Sequence, residues 1–239
     1  MNIAMPTPAA DSRAVRLLPA AGPAFAVLMV VAALTCPMPP GGDVSPASQP
    51  LWLADHVGPV IAQSYLRAGA ALAFVLFAVA LAGVLRRVLP PRTVLPDAAL
   101  IGGTLTGGLL LLSQAASIAA ALLVRTGGAP DAVRVLGAMQ DALLNLSSLP
   151  AVLLFAALGL GALRTGRLLP RWLTGLTLLG VPFAVLDTLS YDSGPLESIG
   201  ILGLVFFLAW SLLVGGALLA RPVTDLAVPM TSRTTAEVS

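Results

Sequence analysis

The sequence predicts an all-α, polytopic membrane protein, a bundle of six transmembrane helices with both termini in the cytoplasm. Of its 239 residues, 57% are hydrophobic and 10% charged, against about 25% charged in an ordinary soluble domain. Mean hydropathy is +0.94, and it arises from long apolar runs rather than from scattered core residues. The thirteen basic residues are all arginine and gather at alternate ends of those runs, the distribution that holds loops in the cytoplasm.

A hydrocarbon core of about 30 Å requires about 20 helical residues. Six runs satisfy this, near 17–36, 65–85, 98–124, 136–163, 172–190 and 199–220. They are far longer than the alternating strands of a membrane barrel, and a helix satisfies its backbone polar groups within the segment. Residues 1–12 and 222–239 are rich in Pro, Thr, Ser and Ala without apolar periodicity and are expected to be disordered cytoplasmic ends flanking a membrane domain over 13–221.

The first run ends at Leu34-Thr35-Cys36. Thr35 stands where a lipoprotein cleavage site would place a small residue, so the run is read as an uncleaved span. Cys36 is the single cysteine, which precludes an intrachain disulfide. The connection to the second run opens on the breakers Pro37-Met38-Pro39-Pro40-Gly41-Gly42. Leu51, Trp52, Val57 and Ile61 then predict a segment lying at the interface or packed over the bundle. In the third run Gly103 and Gly107 share a face that Gln114 continues, so small residues and a buried amide are expected to meet another helix of the bundle. Homodimerisation through that face is the alternative. Pro150 and Pro182 should kink or break the fourth and fifth spans.

With a cytoplasmic N-terminus, ten arginines (13, 16, 86, 87, 92, 164, 167, 171, 221 and 233) fall inside, while Arg67, Arg125 and Arg134 fall outside. A bacterial inner membrane is the expected location.

Polar residues within spans are the functional candidates. Asp141, Asn145 and Ser148 follow the i, i+4, i+7 spacing of one helical face, and the fifth span contributes Asp187. Intramembrane acids usually face a cavity or a partner, so these residues with Gln114 form a candidate ion- or ligand-binding set. Asp141 stands about 33 Å along the helix from Leu163, and Asp187 about 22 Å from Trp172, which places any such site toward the outer surface. His56, the only histidine, follows Asp55 on the outer connection and is a candidate pH sensor.

Several classes lack their residues. One His and one Cys cannot build a bis-histidine haem or three-ligand zinc site. Neither a Gly-Lys-Ser/Thr phosphate loop nor a Gly-x-Ser-x-Gly elbow is present. No basic stripe points to nucleic acid. No catalytic residue, metal or cofactor is therefore expected.

At the inner end of the fourth span, Gly159-Leu160-Gly161-Ala162-Leu163-Arg164 leads to Leu168-Leu169-Pro170-Arg171-Trp172-Leu173. This stretch resembles an uncharacterised family of bacterial six-span membrane proteins, a domain of unknown function with a short basic turn before Pro-Arg-Trp-Leu. The resemblance implies six helices and no known activity. The sequence thus predicts a non-enzymatic structural, sensory or partner-binding component, with a small proton- or cation-coupled transporter as the alternative. Its partners would be the lipid bilayer and either further copies of itself or another membrane protein.

Overall fold

A computed structural model describes residues 18–37, 48–189 and 197–220. The two terminal segments expected to be disordered, and Arg13, Arg16, Arg221 and Arg233, lie outside the described residues. A 3-10 turn, Leu18–Ala20, precedes eight helices: α1 (Ala21–Thr35), α2 (Ser48–Asp55), α3 (Val57–Val88), α4 (Leu95–Arg125), α5 (Pro130–Leu146), α6 (Ser148–Thr165), α7 (Arg171–Leu189) and α8 (Glu197–Leu219). Among the described residues, six stretches are long and apolar enough to cross a membrane: Leu18–Thr35, Val57–Val88, Leu95–Arg125, Pro130–Thr165, Arg171–Leu189 and Leu202–Leu219. They match the six expected runs, with the second beginning eight residues earlier than its apolar pattern suggests.

The spans form a ring in chain order. α1 packs on α3, α3 on α4, α4 on α6, α6 on α7, α7 on α8, and α8 returns to α1. In lipid this association cannot draw on burial from water, so close backbone approach matters more. The glycine face of α4 does what its spacing predicts. A Cβ on Gly103 would stand 2.2 Å from the Ala78 Cβ, one on Gly107 would stand 2.4 Å from Val75 Cγ2, and Gly102 lets the Pro150 carbonyl of α6 approach. The face is used within the chain. Ring closure relies on the same device, because Gly215 admits Pro23 and Gly22 admits the Ser211 carbonyl.

One end of the ring, hereafter the basic end, carries Arg86, Arg87, Arg164 and Arg171. Arg86 pairs there with Asp97 at 2.8 Å. Gly166, at φ 61°, ends α6 with its N–H on the Ala162 carbonyl, a left-handed stop that suits glycine. Toward this end the ring is pinched, as Leu85 of α3 packs against Gly161 of α6.

At the opposite end the helices extend into a cap. Leu53, Val60, Ala120, Ala121 and Val133 form a second buried cluster, and Trp52, Val57, Ile61 and Leu136 pack against it. The expected segment over the bundle is thus α2 with the first turns of α3, although Leu51 is 68% exposed rather than packed. α5 is amphipathic and contributes to this cap. The fourth span breaks at Ser147, which separates α5 from α6. Pro150 falls in the first turn of α6, where a missing N–H is tolerated, so the break precedes the proline rather than centring on it. Pro182 lies inside α7.

The glycine contacts have a testable consequence. Gly102→Leu sets a side chain against backbone atoms of Pro150 and Leu154 at 2.6 and 2.8 Å and should cost about 1–3 kcal/mol. Gly108→Leu, with open space around its Cβ, should change stability by less than about 0.5 kcal/mol. Denaturant unfolding in mixed micelles measures both.

Candidate functional site

The centre of the ring is filled in two different ways. Near the basic half it is a plug of aromatic rings on Trp210, which is fully buried. Phe155 and Phe77 approach the indole edge-on, at 4.7 and 5.9 Å between centroids, and Phe207 stacks on it at 6.1 Å. The indole N–H donates to Thr177 Oγ1 at 3.0 Å, and the Thr177 hydroxyl donates to the Leu173 carbonyl at 2.8 Å. Trp210 is thereby satisfied while buried, as an indole in an apolar core must be.

Above the plug the ring encloses a cavity of about 330 Å³, within the size range of small-molecule sites. Every span contributes to it: Phe25 and Met29 from α1, Arg67 from α3, Thr106, Leu110 and Gln114 from α4, Ser148, Ala151 and Phe155 from α6, Gly180, Phe183, Ala184 and Asp187 from α7, and Gly203, Leu204, Phe206 and Phe207 from α8. Leu144, Asn145 and Ser147 line it at the α5–α6 break.

The polar groups sit at one level. At 1.5 Å per residue, Asp187 stands about 24 Å from Arg171, Gln114 about 26 Å from Asp97, Ser148 about 26 Å from Thr165 and Arg67 about 29 Å from Arg86. Thr106, about 14 Å from Asp97, lies lower, near the aromatic floor. The cavity is therefore polar toward the cap and apolar toward the middle of the bundle.

Of the residues singled out in the sequence, Gln114, Asn145, Ser148 and Asp187 line this cavity together. The Ser148 hydroxyl donates to the Asp187 carboxylate across the α6–α7 contact. Asn145 uses its amide N–H on the Asp141 carbonyl at 2.9 Å. Asp141 does not line the cavity, and its side chain is exposed on α5. The continuous face predicted for Asp141, Asn145 and Ser148 is interrupted because the helix breaks at Ser147. His56 is also elsewhere. It caps α3 at the α2–α3 junction, stacks on Trp52 at 4.7 Å and places Nδ1 2.8 Å from the Trp52 carbonyl.

Two cavity residues were not anticipated. Arg67, counted as a topological arginine, lies more than two turns inside α3 and turns into the cavity because that helix starts at Val57. Thr106 was unremarkable in the sequence, yet it departs from its peers. Thr35, Thr104, Thr165, Thr174, Thr177 and Thr188 each donate to a carbonyl three or four residues back, whereas the Thr106 hydroxyl is 2% exposed and has no partner.

Among the described residues, three buried side-chain polar atoms lack a hydrogen-bond partner: Arg67 Nε, Thr106 Oγ1 and Gln114 Oε1. All three belong to residues lining the cavity. Gln114 donates an amide N–H to the Ser113 hydroxyl at 2.8 Å, while its carbonyl oxygen has no partner. Such atoms are costly when buried and are rare in native proteins unless water or a ligand meets them. No cluster of three or more His, Cys, Asp or Glu that could hold a metal occurs among the described residues.

Fold and site together define a multi-pass, six-span membrane protein with a half-polar cavity inside its ring. No family model, curated protein or solved structure matches the chain.

Arg67 makes no ion pair among the described residues, where the ion pairs are Arg86–Asp97 and Arg134–Asp131. A half-buried, unpaired guanidinium destabilises a fold, so Arg67→Met, which keeps much of the volume, should raise stability by about 1 kcal/mol. A melting curve of the purified protein reads this directly, and a lowered transition would mean that Arg67 has a structural partner.

Proposed function

We propose that this protein is a non-enzymatic small-molecule-binding component of a bacterial plasma membrane, with both termini cytoplasmic and the cavity on the outward half of the bundle. The observation that carries the reading is the convergence of all three unpartnered polar atoms on one cavity. Scattered unsatisfied groups would indicate loose packing, whereas gathered ones describe the complement of a ligand. The arginine asymmetry supports the orientation, because the basic end carries most of the arginines among the described residues. A sensory or carrier role would follow from what binds.

Filling the cavity should abolish binding without disturbing the ring. Ala184 is 6% exposed and lines the cavity, so Ala184→Phe should occupy it. Native mass spectrometry of protein released from its own membranes should show a small adduct on the wild type and none on Ala184→Phe at matched thermal stability. The same adduct on both would refute binding in this cavity. A reporter fused to the C-terminus should behave as cytoplasmic.

Coupled transport is the second reading, favoured by the Asp187 carboxylate within the cavity. In proteoliposomes, Asp187→Asn should then reduce proton-gradient-driven uptake of the bound molecule at least tenfold. Unaltered uptake would remove the reason for invoking coupling.

A further inference from the structure

Resting on that ligand-binding reading, we propose that the cavity recognises the carboxylate of a small amphipathic molecule, with Arg67 as the anion-binding group and the phenylalanine floor receiving its apolar body.

Among the described residues lining the cavity, two are charged and stand on opposite members of the ring, Arg67 of α3 and Asp187 of α7. Asp187 is already engaged by Ser148. Among the described residues Arg67 pairs with no acid, and its Nε meets no acceptor. Cys36, just past the end of α1, is a buried thiol and not an acid partner. Among the described residues the guanidinium is therefore left to take an anion from elsewhere.

A guanidinium fork matches the planar, two-oxygen geometry of a carboxylate. A dianion such as a phosphate monoester would meet one cation and also the Asp187 carboxylate, and like charges brought together oppose binding. A monoanion is therefore favoured. Gln114 and Thr106 are each more than nine-tenths buried with an unpartnered oxygen in the cavity wall: the Gln114 carbonyl can only accept, from an N–H of the bound molecule, while the Thr106 hydroxyl lower in the wall can donate or accept.

Size and floor define the rest of the molecule. At about 30 Å³ for each water-sized atom, the cavity holds roughly ten non-hydrogen atoms. Phe183 stacks on Phe206 at 5.0 Å and 8°, and Phe155 and Phe207 meet edge-on below them. Such a surface accepts a flat or branched hydrocarbon group. Two kinds of molecule share this chemistry: a simple arylalkyl or medium-chain carboxylate, and an apolar amino acid whose ammonium would lie toward Asp187.

The full chain in lipid nanodiscs can be titrated with 3-phenylpropanoate, its neutral amide, 2-phenylethylamine and phenylalanine, with fluorescence and thermal shift as readouts. Trp210 beneath the cavity supplies the signal once Trp52 and Trp172 are changed to Phe. At least one of the two carboxylates should bind saturably, with the amide and the amine at least tenfold weaker. Arg67→Gln should lose at least tenfold for the carboxylate and little for the amide, and Arg67→Lys should recover part of the loss. Stronger binding of phenylalanine, with the advantage removed by Asp187→Asn, assigns the amino-acid class; stronger binding of 3-phenylpropanoate assigns the simple carboxylate. Equal binding of amide and carboxylate, or no effect of Arg67→Gln, overturns anion recognition while leaving the cavity a binding site. Failure of every probe, together with no adduct sensitive to Ala184→Phe, overturns both readings.

Discussion

Six helices in a ring cannot close their own centre. With neighbours about 9 Å apart, a regular hexagon leaves every axis about 9 Å from the middle, enough room for a seventh helix. This chain has no seventh span among its described residues, so side chains must fill the gap or leave it. At the basic end they fill it by flattening the ring, with Leu85 set against Gly161. In the middle they fill it with large rings, Phe74, Phe77, Phe155 and Trp210. Above them the filling stops, and the cavity is what remains of the hexagon.

Packing chemistry explains why it stops there. Two apolar clusters divide the molecule, one built on the aromatic plug and the other on the cap. Between them lies a layer containing Ser64, Arg67, Gln114, Ser117, Ser148 and Asp187. Part of that layer is glue: the Ser64 hydroxyl donates to Ser117 at 3.0 Å across α3 and α4, and Gln63 donates to the Ala32 carbonyl at 3.0 Å across α3 and α1. These bonds align the helices at the height where the cap joins the ring, as interhelical polar contacts do in lipid. The remaining groups of the layer point inward instead and hold the cavity open with polarity.

The architecture was legible because its causes are local. Twenty apolar residues and an arginine stop suffice to specify a span, and the spacing of Gly103 and Gly107 sufficed to specify a contact. The site was half legible. Gln114, Asn145, Ser148 and Asp187 are visible as polar interruptions of apolar runs, and the ring gathers them. Arg67 was hidden because an arginine near the start of an apolar run reads as an anchor. Only the helical continuation back to Val57 moves it inside. Asp141 departs in the other direction: helical spacing set it on one face with Asn145 and Ser148, but α5 ends at Leu146 and Ser148 opens α6, so the face does not continue and Asp141 stays outside the cavity lining. Thr106 gave no signal, because a threonine in a membrane helix normally satisfies itself on its own backbone.

Packing alone gives no reason for this polar layer or for Thr106 below it. Arginine, glutamine and threonine atoms without partners each cost about 1–3 kcal/mol when buried, and leucine or methionine at the same positions would pack the hexagon as the phenylalanines do below. Their cost is confined to the wall of one cavity, on helices that are otherwise joined by close glycine contacts and satisfied hydroxyls. Proteins depart from local consistency in this way at functional sites, where the unfavourable group is matched by something that is not part of the chain. The aromatic plug fits the same account: by filling the lower half of the ring it fixes the depth of the cavity, so a molecule of the proposed kind would meet the polar layer with its charged end and the phenylalanines with its body.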